Sequence, residues 1–209
     1  MIIKNVPFVD DKKQKYASCQ GPPTVMMILK YFDINLSFLE LYKKMDYKKG
    51  KWFFETYIVK FLNSLNIPCK YYSDYNLKKI SNNLLEFERV SNLKFNEKNK
   101  KEIDVKHYDE GVNFVLKNKL FRRRKLDLKF IIEQIKKNKL IIAVVNRNIL
   151  TNKKGYKGHF ILIKGFDKKN IICNDSYLGE NLIIPIKKFK TSFYYLQNKK
   201  KTHHLVVIG

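Results

Sequence analysis

The sequence predicts an α+β protein, with a helical N-terminal part packed on a C-terminal antiparallel sheet. Three observations carry this. Apolar residues recur at helical spacing through much of the chain as far as Asn138. Beyond it the pattern changes to short apolar runs between polar turns, led by Leu140–Val145, which is apolar throughout, as in a strand buried on both faces. The order, helices and then strands, is that of α+β architecture rather than of alternating βαβ units.

Residues 1–18 read as extended, with a turn at Asp10-Asp11. Pro22 and Pro23 suit a first helical turn, where a missing N–H costs little. Val25, Met26, Leu29 and Phe32 form one apolar stripe, so a helix starts near Cys19 and runs to about Phe32. Ser37-Phe38-Leu39-Glu40 is a capping box, with Leu36 and Leu41 as its hydrophobic staple. Phe38, Leu41, Tyr42 and Met45 give this second helix its buried face. A third starts at Gly50-Lys51-Trp52 and carries Phe54, Ile58, Phe61, Leu62 and Leu65 at helical spacing. Ile67–Tyr72 reads as a strand. Residues 73–108, rich in Asn, Lys and Glu, show weak helical periodicity and read as a variable insertion, a lid or a solvated helical connection, with His107 exposed. Asp109–Lys119 and Asp127–Lys139 are predicted helices, the second capped by Asp127. Asn146–Lys157 is a polar loop. His159–Phe166 and Asn170–Asp175 form a hairpin around Asp167-Lys168-Lys169. Pro185–Tyr194 is a short helix, and His204–Ile208 closes the sheet. His203 and His204, beside a Lys run, read as a solvated edge.

A chain of 209 residues can bury one good core, so a single domain over residues 1–209 is expected. No apolar run reaches the length of a membrane helix, and the N-terminus lacks the basic region and apolar stretch of a signal peptide. A cytoplasmic location follows. Three widely spaced cysteines form neither a disulfide framework nor a zinc site, and no metal or cofactor is expected. Cys69 and Cys173 lie in strand-like contexts and read as packing residues. The formal charge of +24 invites a nucleic-acid reading, with Arg122-Arg123-Arg124-Lys125 as a phosphate contact. The lysines, however, are spread over nearly every segment, and no helix-turn-helix, zinc-finger or aromatic RNA platform is visible. Solvated helix faces account for the charge, and a nucleic-acid partner is not expected.

The chemistry concentrates at two places. Ser18-Cys19-Gln20-Gly21-Pro22-Pro23 sets a thiol at a helix start, and Gly158-His159 opens a strand whose hairpin partner ends at Asn174-Asp175. A thiol attacks a carbonyl as the thiolate. A helix N-terminus and a nearby imidazole both favour that form, and a carboxylate orients the imidazole. Cys19, His159 and Asp175 are therefore the candidate nucleophile, base and orienter. In an antiparallel pair the end of one strand adjoins the start of the other, which brings Asp175 to His159. Asn174 is the fallback orienter, although alternation points it to the opposite face.

These segments, with Asn5-Val6-Pro7-Phe8 and the Gly158–Asp167 strand, resemble the papain-like family of bacteriocin-processing, double-glycine-leader cysteine peptidases, and more closely its stand-alone relatives. The resemblance implies a papain-like fold and the same three roles for Cys19, His159 and Asp175. Members often have Gly directly after the Cys and Asp-Pro at the orienter. This chain has Gln20 before Gly21, and Asp175-Ser176. Their oxyanion Gln typically lies six residues before the Cys; Gln14 lies five before, and Gln20 competes with it. The expected activity is hydrolysis of a peptide or amide bond through a thioester. An acyl transferase on the same site, a non-catalytic module and a basic nucleic-acid binder are the alternatives.

Overall fold

The computed structural model describes residues 1–10, 21–48, 50–79, 101–194 and 203–209. Helix α1 (Gly21–Tyr31) is buried at every position from Gly21 to Leu29, so the predicted stripe extends round the whole circumference and the helix is enclosed. The capping box starts α2 (Phe38–Lys44): Glu40 N donates to Ser37 Oγ at 3.2 Å and Ser37 N to Glu40 Oε2 at 2.8 Å. Helix α3 (Glu55–Ser64) begins later than predicted, because Trp52 N donates to Glu102 O and Phe54 is an extended N-cap.

Strand β1 (Cys69–Ser73) leads to a short 3₁₀ turn, Leu77–Lys79. Most of the predicted insertion, 80–100, lies outside the described residues. Helix α4 (Val105–Lys117) starts four residues before the predicted Asp109, because Asp104 caps it through His107 N at 3.2 Å. His107 therefore lies in the first turn with its ring 3.8 Å from that of Tyr57. It is half-buried, not exposed as expected, because α4 packs along α3.

A three-residue strand, β2 (Phe121–Arg123), was not expected. Helix α5 (Leu128–Lys136) has the predicted Asp127 cap, and β3 (Leu140–Asn146) the predicted burial. A four-residue helix, α6 (Arg147–Leu150), opens the polar loop. Strands β4 (Gly158–Phe166) and β5 (Asn170–Asp175) form the hairpin; Asp167 Oδ1 ties its turn by accepting from Lys169 N and Asn170 N. An unexpected strand, β6 (Gly179–Pro185), returns along β5, followed by α7 (Ile186–Phe193) and β7 (His204–Ile208).

The sheet order is β2-β1-β7-β3-β4-β5-β6, antiparallel except for β1 and β2. The sheet is thus not wholly C-terminal: β1 comes from the helical part and pairs with the last strand. Residues 1–3 join from the other side, Ile3 N donating to Lys164 O at 2.7 Å. Because β7 lies between β1 and β3, the predicted solvated edge at His203 and His204 is wrong. His203 is buried with Nδ1 2.5 Å from Asp74 Oδ2, and the His204 ring spans the Tyr71 hydroxyl and Glu55. Cys69 and Cys173 are buried free thiols, as expected of packing residues. Among the described residues no helix is long and apolar enough to cross a membrane.

Candidate active site

His159 is the second residue of β4, opposite Val145 of β3. What fixes the strand start is Asn146. Its buried carboxamide accepts from Asn148 N and Lys157 N and donates to Gly155 O, all at 3.0 Å. Those bonds close the 147–157 loop and deliver the chain to Gly158. Leu162 pairs with Asn174 in the β4–β5 ladder, so the same register carried one residue further sets Asp175 against Ile161. Ile161 and His159 share a strand face, which makes His159 and Asp175 diagonal neighbours.

The contact is direct. His159 Nε2 lies 2.7 Å from Asp175 Oδ2, and both side chains are wholly buried. The other carboxylate oxygen, Oδ1, accepts from Tyr177 N at 2.9 Å and Leu178 N at 3.0 Å. Asp175 thereby fixes the β5–β6 turn, which ends at Gly179 with φ +142°, a conformation L side chains rarely adopt. A carboxylate can only accept, so Nε2 carries the proton and Nδ1 presents a lone pair. Nδ1 is buried and has no hydrogen-bond partner among the described residues. An oriented imidazole with one nitrogen held by a carboxylate and the other open is the arrangement of a general base.

Asn174, the fallback orienter, takes no part. Its amide donates to Val6 O and Pro7 O, and its oxygen accepts from Asn181 N. It ties the N-terminal segment and β6 to the sheet instead.

Cys19, Gln14 and Gln20 lie outside the described residues. Two residues after Cys19, Gly21 sits so close to Phe53 that a Cβ would stand 2.1 Å from its ring. Phe53 in turn meets Phe160 edge-on, with centroids 6.2 Å apart. Phe160 follows His159, so the start of α1 and the start of β4 are held to one another through a single ring. Alternation points His159 to the opposite face from Phe160. The Phe53–Phe160 contact therefore lies on the other face of β4 from the His159 side chain.

The other cysteines stand apart from this chemistry. Burial pushes the Cys69 thiol up to about 12, and raises that of Cys173 as well, with the Asp175 charge adding to it. A cleft lined by Phe8, Met26, Lys30, Leu36 and Phe38 opens beside α1 and includes neither His159 nor Asp175. Among the described residues no three His, Cys, Asp or Glu side chains converge as metal ligands.

Two residues beside the pair escaped the sequence reading. The Tyr177 ring stands edge-on to His159, with centroids 6.4 Å apart, and the Arg147 guanidinium lies over Tyr177 at 4.2 Å. The signal for Tyr177 was its place two residues after Asp175; Arg147 had none in so basic a chain.

A family model described as "Peptidase_C39 like family" matches residues 3–203. Two solved structures share the fold. One is a double glycine motif protease from an AMS/PCAT transporter in complex with the leader peptide, at TM-score 0.50 and 14% identity, covering 100% of this chain and 94% of that one. The other is a putative C39-like peptidase from Bacillus anthracis, at TM-score 0.54 and 10% identity, covering 100% of this chain and 96% of that one. No curated protein matches the sequence.

Proposed function

The chain belongs to the C39-like peptidase family, and from that membership we propose that it cleaves a peptide bond by covalent catalysis through Cys19, His159 and Asp175. The observation that carries the reading is the buried His159–Asp175 pair with its open Nδ1. The Cys19 Sγ proton passes to His159 Nδ1, and the thiolate attacks the scissile carbonyl carbon. Collapse of the tetrahedral intermediate breaks the C–N bond, and the imidazolium gives its proton to the leaving amine. The resulting thioester is hydrolysed by water, which loses a proton to Nδ1; collapse then expels the Cys19 thiolate. Throughout, Nε2–H stays on Asp175 Oδ2, which holds the tautomer and stabilises the imidazolium.

Two further contributions come from the Cys19 segment. The N-terminus of α1 favours the thiolate. The Cys19 backbone N–H and a side-chain amide, Gln14 before Gln20, donate to the oxyanion. A peptide is the substrate class because the family is one of peptidases and the double glycine motif protease of the same fold is held with a leader peptide. The two buried free thiols keep the reading with a cytoplasmic site of action.

The test is digestion of a proteome-derived peptide library with cleavage sites mapped by mass spectrometry. The wild-type protein should give a defined set of cleavages and Cys19→Ala none. Gln14→Ala should lower turnover by roughly 10²–10³ while leaving Cys19 alkylation unchanged, since alkylation develops no oxyanion. Wild-type turnover by Cys19→Ala would overturn the reading.

A further inference from the structure

We propose that Arg147 is the specificity-determining cation of this site and selects substrates that carry a carboxylate near the bond cleaved. The inference rests on the His159–Asp175 reading. Arg147 directly follows Asn146, which pairs with Gly158 in the β3–β4 ladder, so it stands beside the start of the His159 strand. Its backbone is pinned there by Arg147 N donating to Lys157 O at 2.9 Å. Its guanidinium carbon lies 4.2 Å over the Tyr177 ring, and Tyr177 meets His159 edge-on at 6.4 Å. The two contacts in series keep the guanidinium within the reach of about three extended residues from the imidazole.

The chain has 43 Lys and Arg against 19 Asp and Glu, so an unpaired cation alone means little. Arg147 differs in being held against a ring that itself meets His159, whereas Arg124 is held over Phe130. Among the described residues no carboxylate pairs with Arg147. The Tyr177 ring takes up one side of the guanidinium carbon, and an N–H fork that no carboxylate engages can meet a planar acceptor, which a carboxylate matches with two parallel bonds. The Tyr177 platform is itself anchored, its N–H donating to Asp175 Oδ1. Lys153, Lys154 and Lys157 lie in the same loop, and residues 146–157 contain no Asp or Glu, so the loop itself carries only positive charge. The ligand chemistry is a carboxylate, either an Asp or Glu side chain or a peptide C-terminus.

The experiment uses peptides from the mapped cleavage sites, made as Glu and Gln pairs within three residues of the scissile bond, each as free acid and as C-terminal amide, at low ionic strength. Wild-type kcat/KM should favour the carboxylate-bearing member by about 10-fold, a typical return for a charge-assisted bidentate pair. The ratio should fall to about 1 in Arg147→Ala and lie between in Arg147→Lys, whose ammonium lacks the fork. Loss of the preference on amidation assigns the carboxylate to the C-terminus; loss on Glu-to-Gln exchange assigns it to a side chain. Binding of the same peptides to Cys19→Ala and to Cys19→Ala/Arg147→Ala separates this inference from the triad. A carboxylate preference in the first that vanishes in the second supports the subsite even where His159→Ala leaves turnover intact. Equal handling by the wild-type protein of Glu and Gln members and also of free acids and amides, or a preference undiminished in Arg147→Ala, overturns it.

Discussion

Asp175 serves two structures with one side chain: Oδ2 holds His159 and Oδ1 holds the turn into β6. Asp175→Asn separates them. The amide oxygen still accepts from Tyr177 N and Leu178 N, but an NH₂ then faces Nε2 and reverses the imidazole tautomer. Turnover should fall by about 10²–10⁴, the contribution of a well-placed general base, with little change in Tm. Peptide turnover beside thermal unfolding checks this; an equal loss of stability in Asp175→Asn would mean the contact is chiefly structural. The pair was readable in the sequence because a hairpin brings together residues 16 apart by local pairing alone. Arg147 and the His203–Asp74 contact were not, because each depends on pairings between distant segments.

At the scale of elements, the α1 start is set by one steric fit. A Cβ at Gly21 meets both Cδ1 and Cγ of Phe53, the near side of a ring that cannot swing away freely. Gly21→Ala should cost about 1–3 kcal/mol, the usual price of overpacking, and Phe53→Leu in that background should restore part of it. Thermal unfolding of the double-mutant cycle tests this, and additive effects would contradict it. The α3–α4 contact predicts acid sensitivity. The Lys48 ammonium on Asp104 holds that carboxyl below its ordinary value, and burial holds the His107 imidazole below its own. Both groups bind protons more readily in the unfolded chain, so their stabilisation is present above the unfolded pKa values and is lost as pH falls through the folded ones. His107 acts first, from about pH 6.5 downward, and Asp104 below about pH 4. Tm should drop between pH 7 and 5, and His107→Leu should flatten that part of the profile; an unchanged slope would exclude His107 as its cause. The sequence concealed β2 and β6 for a related reason. Both are edge strands: β2 has only three residues, and β6 runs Leu182-Ile183-Ile184 with Ile183 exposed, so neither shows the apolar alternation by which strands are read.

At the scale of the molecule, we propose that residues 1–209 fold as one domain. β1 from the helical half pairs with β7, the last strand, and residues 1–3 pair with β4. Neither half holds a complete sheet, so one cooperative transition is expected. Denaturant midpoints from Trp52 fluorescence, which reports the helical half, and from far-UV circular dichroism should coincide. Two separated midpoints would divide the chain. The interleaving also escaped the sequence, since β-pairing across the full chain length leaves no local signal.

The claim on which the rest depends is that the Cys19 thiol and the His159 imidazole work as one unit. It is tested most directly by the pH dependence of iodoacetamide alkylation, mapped to each cysteine, in the wild-type protein and in His159→Ala. Cys19 should react first, with an inflection well below the ordinary thiol value of about 8.5. Cys69, held up to about 12, and Cys173, raised further within the core, should stay unmodified in the folded protein. In His159→Ala the Cys19 inflection should move up toward the ordinary value as the imidazolium is lost. A Cys19 profile that His159→Ala leaves unchanged, or earlier modification of Cys69 or Cys173, would contradict the account.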